Sequence, residues 1–270
     1  MLRCVYVDLD GTLLGPGGSL FRAADGGVSL LGARAVEACF RADVEVVVVT
    51  GRRQSNAYED ARLLGCSAYV FELGCALVLD GELEWLTDGL VPSEDEGTIH
   101  DQIAASGAPA ILDEAFPQFE PHLPWSEGRE VSHLFRGSVD VREANALLAE
   151  SGLDWLRLVD NGVLTGGLWP YLGAEVHCYH LMPGGASKLR GVARHMQNRG
   201  YAPEECIAVG DSREDMEMVS TVGTFWLVGN GAERDPALSA EARSHPRVRV
   251  CEDGFGAGVY EAVISTLAGG

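Results

Sequence analysis

The chain predicts an α/β fold built on a parallel sheet, with a smaller α+β domain inserted into it, and three observations carry that reading. Strand-like apolar runs alternate with segments of helical spacing from Cys4 to Phe71, the β-α-β-α-β order that gives right-handed crossovers and a parallel sheet. The texture then changes between Thr87 and about Pro124, where Pro92, Pro109, Pro117, Pro121 and Pro124 interrupt the pattern. The parallel pattern resumes at Ser187. A first domain is therefore expected over 1–84 and 183–270, and a second over 85–182.

The opening stretch, Cys4 to Leu14, is β-branched and aromatic until it reaches Asp8-Leu9-Asp10-Gly11-Thr12, the composition of a buried strand entering a tight turn. It brings Asp8 to the carboxyl end of the strand, the edge where open α/β sheets bind ligands. Gly15 to Gly27 is rich in Gly and polar residues and predicts a loop. A helix is expected over Leu30 to Arg41 and a strand over Asp43 to Thr50, whose valine run suits a strand covered on both faces. Gln54 to Leu64 predicts a helix and Ala68 to Phe71 a strand. A hairpin of Ala76 to Leu79 and Leu83 to Leu86 follows, turned by Asp80-Gly81. In the inserted block a helix is expected over Glu94 to Ser106, strands over Val131 to Val139, Trp155 to Asp160 and Glu175 to Met182, and a helix over Val141 to Ser151. Beyond it, Ser187 to Arg199 and Gly258 to Leu267 predict helices, and Cys206 to Val209, Thr224 to Val228 and Arg247 to Val250 predict strands.

Composition narrows the function classes. At 270 residues and 46% hydrophobic the chain can bury a substantial core. A formal net charge of -20 argues against nucleic acid and against anionic membranes, because both are recognised by basic surface. An anionic substrate would need a local cluster of positive charge or a metal. The seven cysteines are scattered, with no C-x-x-C spacing for zinc or redox chemistry, and read as small buried hydrophobes in a reducing compartment. The N-terminus has no signal-peptide pattern and no apolar run approaches membrane-spanning length, so a cytoplasmic enzyme or binding protein is expected.

Two carboxylates as close as Asp8 and Asp10 repel one another unless a cation or proton shares the site. Mg2+ suits them, because it takes oxygen ligands and bridges one or two carboxylates to a phosphate; a solvated Asp-Gly turn is the plainer alternative. Thr50, with the backbone N–H groups of Gly51 and Arg52, can hold phosphoryl oxygens or cap the following helix. Lys188 stands at a helix start, where a cation is unfavourable for the dipole, so a neutralising role is wanted. Asp211 and Asp215 follow another apolar strand in Gly210-Asp211-Ser212-Arg213-Glu214-Asp215.

These four features, in this order at strand ends and helix starts, resemble the haloacid dehalogenase superfamily of phosphohydrolases. The resemblance implies a Rossmann-like parallel-sheet core with an inserted α+β cap. It implies Asp8 as a nucleophile forming an aspartyl phosphate, and Asp10 as the acid and base for leaving group and water. Mg2+ would be held by Asp8, the Asp10 main-chain carbonyl and Asp211, with Asp215 ligating it or orienting a water or Lys188; Ser212, Gly51 and Arg52 would contact phosphate. Many relatives have Gly where Leu189 stands, Asn where Glu214 stands, and an N-G pair where Leu73-Gly74 stands. The cap between the second and third motifs resembles the branch of Cof-type, sucrose-phosphate, mannosyl-phosphoglycerate and phosphoglycolate phosphatases, in which the cap selects the leaving group and its closure excludes water. Candidate cap contacts are His133, Arg136, Trp169, Tyr171, His177 and His180, with His177 and His180 on opposite strand faces. The expected substrate is a small phosphorylated metabolite, a sugar phosphate. A phosphomutase of the same superfamily and a non-catalytic metabolite sensor are the alternatives.

Overall fold

The computed structural model describes residues 1–164, 167 and 169–269 and divides into two compact units, Met1–Glu84 with Ser187–Gly270, and Trp85–Ala186. The first unit opens with β1 (Cys4–Val7), α1 (Leu31–Arg41), β2 (Glu45–Val49), α2 (Gln54–Leu64), β3 (Ala68–Phe71), β4 (Ala76–Leu79) and β5 (Glu82–Trp85). The second unit contributes α3 (Ile99–Ala105), α4 (Ala108–Ala115), β6 (Phe119–Pro121), β7 (His133–Gly137), α5 (Val141–Glu150), β8 (Leu156–Val163) and β9 (His177–Pro183). The chain then returns with α6 (Lys188–Arg199), β10 (Cys206–Gly210), α7 (Arg213–Met216), β11 (Thr224–Leu227), α8 (Gly229–Arg234), α9 (Pro236–Ser244), β12 (Val248–Val250) and α10 (Phe255–Gly269).

The first unit is built on one sheet of order β12-β11-β10-β1-β2-β3-β4-β5. The six strands from β12 to β3 run parallel, and β4 turns back antiparallel to β3. Val46 to Val49 of β2 and all of β1 are buried, as strands covered on both faces must be. The β4–β5 turn uses Asp80 and Gly81, both at positive φ, which matches the right-handed twist of a hairpin. Because β2 and β3 extend the sheet to one side of β1 and β10 to β12 extend it to the other, the carboxyl ends of β1 and β10 form a switch point. Parallel α/β sheets bind their ligands there.

The second unit is an antiparallel sheet of order β6-β7-β9-β8. Asn145 of α5 hydrogen-bonds the main chain of Leu158 in both directions, at 3.0 and 2.7 Å, which ties that helix to β8. Asp140 caps α5, accepting from Arg142 N at 2.7 Å, and Thr98 forms a reciprocal capping box with Asp101 at the start of α3.

The structure corrects several local expectations. The helix expected over Glu94 to Ser106 begins only at Ile99, and a separate α4 follows. Pro109 does not break that helix: it lies in the first turn, where its missing N–H has no intrahelical partner to lose. Gly229, just past the expected Thr224 to Val228 strand, starts α8, and α9 follows it directly, two helices that the sequence reading does not anticipate. The strand expected over Trp155 to Asp160 continues to Val163 past an irregularity in its pairing with β9.

Candidate active site

Asp8 follows β1 directly, and its main-chain N–H donates to Val209 O of the neighbouring β10 at 3.1 Å. Its side chain is 7% exposed. Lys188 is the first residue of α6, whose N-cap Ser187 accepts from Arg190 N at 3.1 Å. Although only 2% exposed, Lys188 Nζ donates to Asp8 Oδ1 and to Asp215 Oδ1, each at 2.7 Å. An ammonium this deep would be driven out or deprotonated if it stood alone. Burial does oppose its charge, but Asp215 and Asp8 win and raise its pKa well above the ordinary lysine value. Burial also raises the Asp8 carboxyl, with Asp215 and Asp211 adding to it and Lys188 opposing.

Asp215 is already fully used. Its Oδ2 accepts from Ser212 Oγ at 2.7 Å and from the N–H groups of Asp211 and Ser212, both at 3.2 Å. This is a capping box at the start of α7, with Ser212 Oγ accepting from Asp215 N at 3.2 Å. Gly210 makes it possible, since a Cβ there would collide with the Asp215 side chain. Of the functions expected for Asp215, ligating the metal, orienting a water or orienting Lys188, its 2.7 Å contact with Lys188 Nζ suits the last.

Asp8, Asp211 and Asp215 each place a carboxylate oxygen within 4.8 Å of the others. Three acids against the Lys188 ammonium and the Arg234 guanidinium on Asp211 still leave excess negative charge, and hard oxygen donors suit a cation such as Mg2+. Gly11, at φ +86, keeps the space beside Asp211 clear: a Cβ there would run into the Asp211 carboxylate. Asp10 points elsewhere. Its carboxylate is 59% exposed and accepts two hydrogen bonds from Arg52, at 2.7 and 2.6 Å, while Arg52 Nη1 reaches Asp60 at 2.7 Å. The Arg52 guanidinium is thus engaged by two carboxylates.

Thr50 is buried at the end of β2. It does not cap α2, which starts at Gln54 after Arg53; its Oγ1 accepts from Arg52 N at 3.2 Å and shapes the turn. The next loop is tied to the same turn by Leu73 N to Thr50 O at 3.1 Å and Glu72 N to Arg52 O at 3.0 Å. Glu72 and Leu73 take φ +46 and +57, the left-handed region in which an Asn or Gly fits with less strain.

The sequence reading assigns no role to three further residues at this edge. Arg234 Nη2 reaches Asp211 Oδ2 at 2.9 Å and its main-chain oxygen at 3.0 Å. Thr12 Oγ1 donates to Asp211 Oδ1 at 3.4 Å. Asn230 Nδ2 donates to Gly11 O at 2.8 Å while its Oδ1 accepts from Phe255 N at 2.7 Å. The available signal was Gly229-Asn230-Gly231 at another strand's carboxyl end, the setting already used for Asp8, Thr50 and Asp211.

In the second unit, the pairing of β7 with β9 sets Leu134 opposite His180 and Arg136 opposite Cys178 on one face, and His133 and Phe135 opposite Leu181 and Tyr179 on the other. Arg136 lies 4.9 Å over the Trp169 ring and ion-pairs with Glu120 at 2.6 Å, and Tyr171 donates to the same Glu120 carboxylate at 3.0 Å. His180 Nδ1 is 3.1 Å from Ser132 Oγ, which accepts from Arg129 at 3.0 Å. His133 instead stacks on His100 at 3.6 Å, and His177 pairs with Asp160 at 2.8 Å. The sheet therefore groups Arg136, Trp169 and His180 and separates them from His133 and His177.

Comparison with known proteins agrees with this geometry. Residues 171–239 match the family model of haloacid dehalogenase-like hydrolases. A phosphoglycolate phosphatase of Methanoculleus marisnigri is 25% identical over 97% of this chain and 96% of its own. An HMP-PP phosphatase of Escherichia coli is 25% identical over 94% of this chain and 92% of its own. Among solved structures, the sucrose-phosphatase of Synechocystis sp. in complex with sucrose and phosphate shares the fold, with a TM-score of 0.69, 16% identity and 98% of both chains covered. No helix among the described residues is long and apolar enough to cross a membrane.

Proposed function

We propose that the chain is a phosphatase of the Cof-type branch of the haloacid dehalogenase superfamily, the reading its family-model match and phosphatase relatives support, and that it hydrolyses the phosphomonoester of a small metabolite, a sugar phosphate, using Mg2+. The observation that carries the reading is the buried Asp8 carboxylate, held by Lys188 at 2.7 Å beside Asp211. Lys188 engages one carboxylate oxygen, fixes its direction, and leaves the other to attack phosphorus. Attack forms the Asp8–phosphorus bond and breaks the bond to the leaving oxygen, dividing a hard hydrolysis into two easier steps. Asp10, exposed and hydrogen-bonded by Arg52, gives a proton to the leaving group. It then takes one from the water that attacks the phosphoryl-aspartate.

Asp8 and Asp211 would hold Mg2+ with the Asp10 main-chain carbonyl. When bound, the ion supplies positive charge to the phosphoryl oxygens and to the carboxylates themselves. Thr50 with the Gly51 main chain would take phosphoryl oxygens at the turn after β2. The inserted unit would select the substrate, with Arg136, Trp169 and His180 as the contacts grouped on one sheet face.

The test is phosphate release with Mg2+ across sugar phosphates, phosphoglycolate, HMP-PP and sucrose phosphate, the chemistries named by the relatives and the structural neighbour. A marked preference that disappears in Asp8→Asn is expected. Undiminished turnover in Asp8→Asn would overturn the nucleophile assignment, and turnover unaffected by chelator would overturn the metal.

A further inference from the structure

Three central strands of the first sheet begin on polarisable or charged side chains that share one face. Cys4 of β1 stands in register with Glu45 of β2 on one side and with Cys206 of β10 on the other, and residues paired across neighbouring strands point the same way. Above them lies His195 of α6, wholly buried. One donor atom from each of Cys4, Glu45 and His195 falls within 4.8 Å of the other two.

The imidazole is oriented as a ligand would be. Its Nδ1 is 2.8 Å from Tyr6 Oη, the outer hydrogen bond that metal-binding histidines use to fix their tautomer. Its Nε2 has no hydrogen-bond partner among the described residues and faces Glu45 Oε2 at 3.6 Å. That separation is long for a hydrogen bond. It is close to the roughly 3.4 Å expected between nitrogen and oxygen donors around a tetrahedral ion with bonds of about 2.0–2.2 Å. The Glu45 carboxylate is held in place by Arg199 at 2.9 Å and Tyr201 at 2.9 Å, and Arg199 is neutralised in turn by Asp80 at 2.7 Å. Sulfur, nitrogen and oxygen donors together favour zinc over Mg2+. No short sequence motif announces the set, because its members come from two strands and a helix.

We propose that Cys4, Glu45 and His195 form a zinc site at the amino-terminal end of the sheet, opposite the carboxylate cluster, with Cys4 as its thiolate. The ion clamps β1, β2 and α6 together.

The experiment is to produce the full chain in cobalt-supplemented medium, purify it with Mg2+ in excess, and record its absorption. One cobalt per chain with a thiolate-to-cobalt charge-transfer band is expected, and the band is lost in Cys4→Ser. Cobalt on the carboxylate cluster gives no such band, and no substrate is involved, so the result is independent of the phosphatase reading. A folded wild-type protein without the band, or a band that persists in Cys4→Ser, overturns the proposal. Should Cys4→Ser not fold, zinc K-edge absorption of the zinc-grown wild-type protein decides: sulfur with nitrogen or oxygen supports the site, and an oxygen-only shell overturns it.

Discussion

Lys188 shows how tightly function and stability are bound together at a single side chain. With the ammonium removed, Asp8 and Asp215 would face one another in a nearly dry site. Breaking a buried pair by deleting one partner costs about 3–5 kcal/mol. Lys188→Gln is therefore expected to lose roughly that much stability by urea denaturation as well as turnover, whereas Asp8→Asn leaves Lys188 its Asp215 partner, keeps the fold and loses turnover alone. An equal midpoint for Lys188→Gln and wild type would show that the site tolerates the uncompensated carboxylates. At this scale the sequence was informative where residue type alone carries chemistry: Asp8, Lys188 and Asp211 stand at strand ends and helix starts. It was silent on Arg234 and on the Arg52–Asp10 pair, because an Arg on a polar turn has no pattern that names its distant partner.

At the scale of elements, the loop after β3 is pinned between the turn after β2 and the start of α6. Gly74 lies at φ +94, and a Cβ there would collide with the Ser187 carbonyl just before Lys188. Gly74→Ala is expected to destabilise by roughly 2–4 kcal/mol, from the left-handed backbone and the overpacking together. It should also lower kcat by displacing α6, as thermal unfolding and steady-state kinetics will show; wild-type values for both would mean that the loop gives way freely. The strands of the core were readable as apolar runs, since a strand buried on both faces leaves a continuous signal. Helices α8 and α9 were hidden by Gly229, Gly231 and Pro236, residues that normally mark turns. Gly231 is there because the Asp211 main chain presses against it, a tertiary requirement that local propensity does not register. Pro109 misled in the same way, being read as a breaker when it lies in a helix's first turn.

At the scale of the molecule, the inserted unit carries a pH signature of its own. Burial, then Arg136 and Arg129, push the His122 imidazole down to about 4, against about 6.5 in the unfolded chain. Between those values only the unfolded form takes the proton, so this contribution is complete above about pH 6.5 and is lost as the pH falls towards 4, by at most about 1.4 kcal/mol per pH unit. His177 runs the other way. The hydrogen bond it donates to the Asp160 carboxylate raises its pKa, so its contribution is present below about pH 6.5 and is lost as the pH rises through the folded value. Hydrogen exchange of the second unit from pH 4.5 to 7.5 should show a slope that flattens in His122→Asn, and an unchanged slope would remove His122 as its source.

The order of strands in the large sheet also bears on how the molecule comes into being. Cys4 pairs with Glu45 almost as soon as both exist, but its other neighbour is Cys206. At about 5–20 residues per second, translation leaves the open edge of β1 waiting roughly 10–40 s for that partner. Meanwhile Trp85–Ala186 emerges as one uninterrupted stretch and has no such wait. Of the strands in this sheet β1 is thus made earliest yet is among the last to be enclosed, and the newborn chain must keep an adhesive edge from the rest of the cell until β10 arrives.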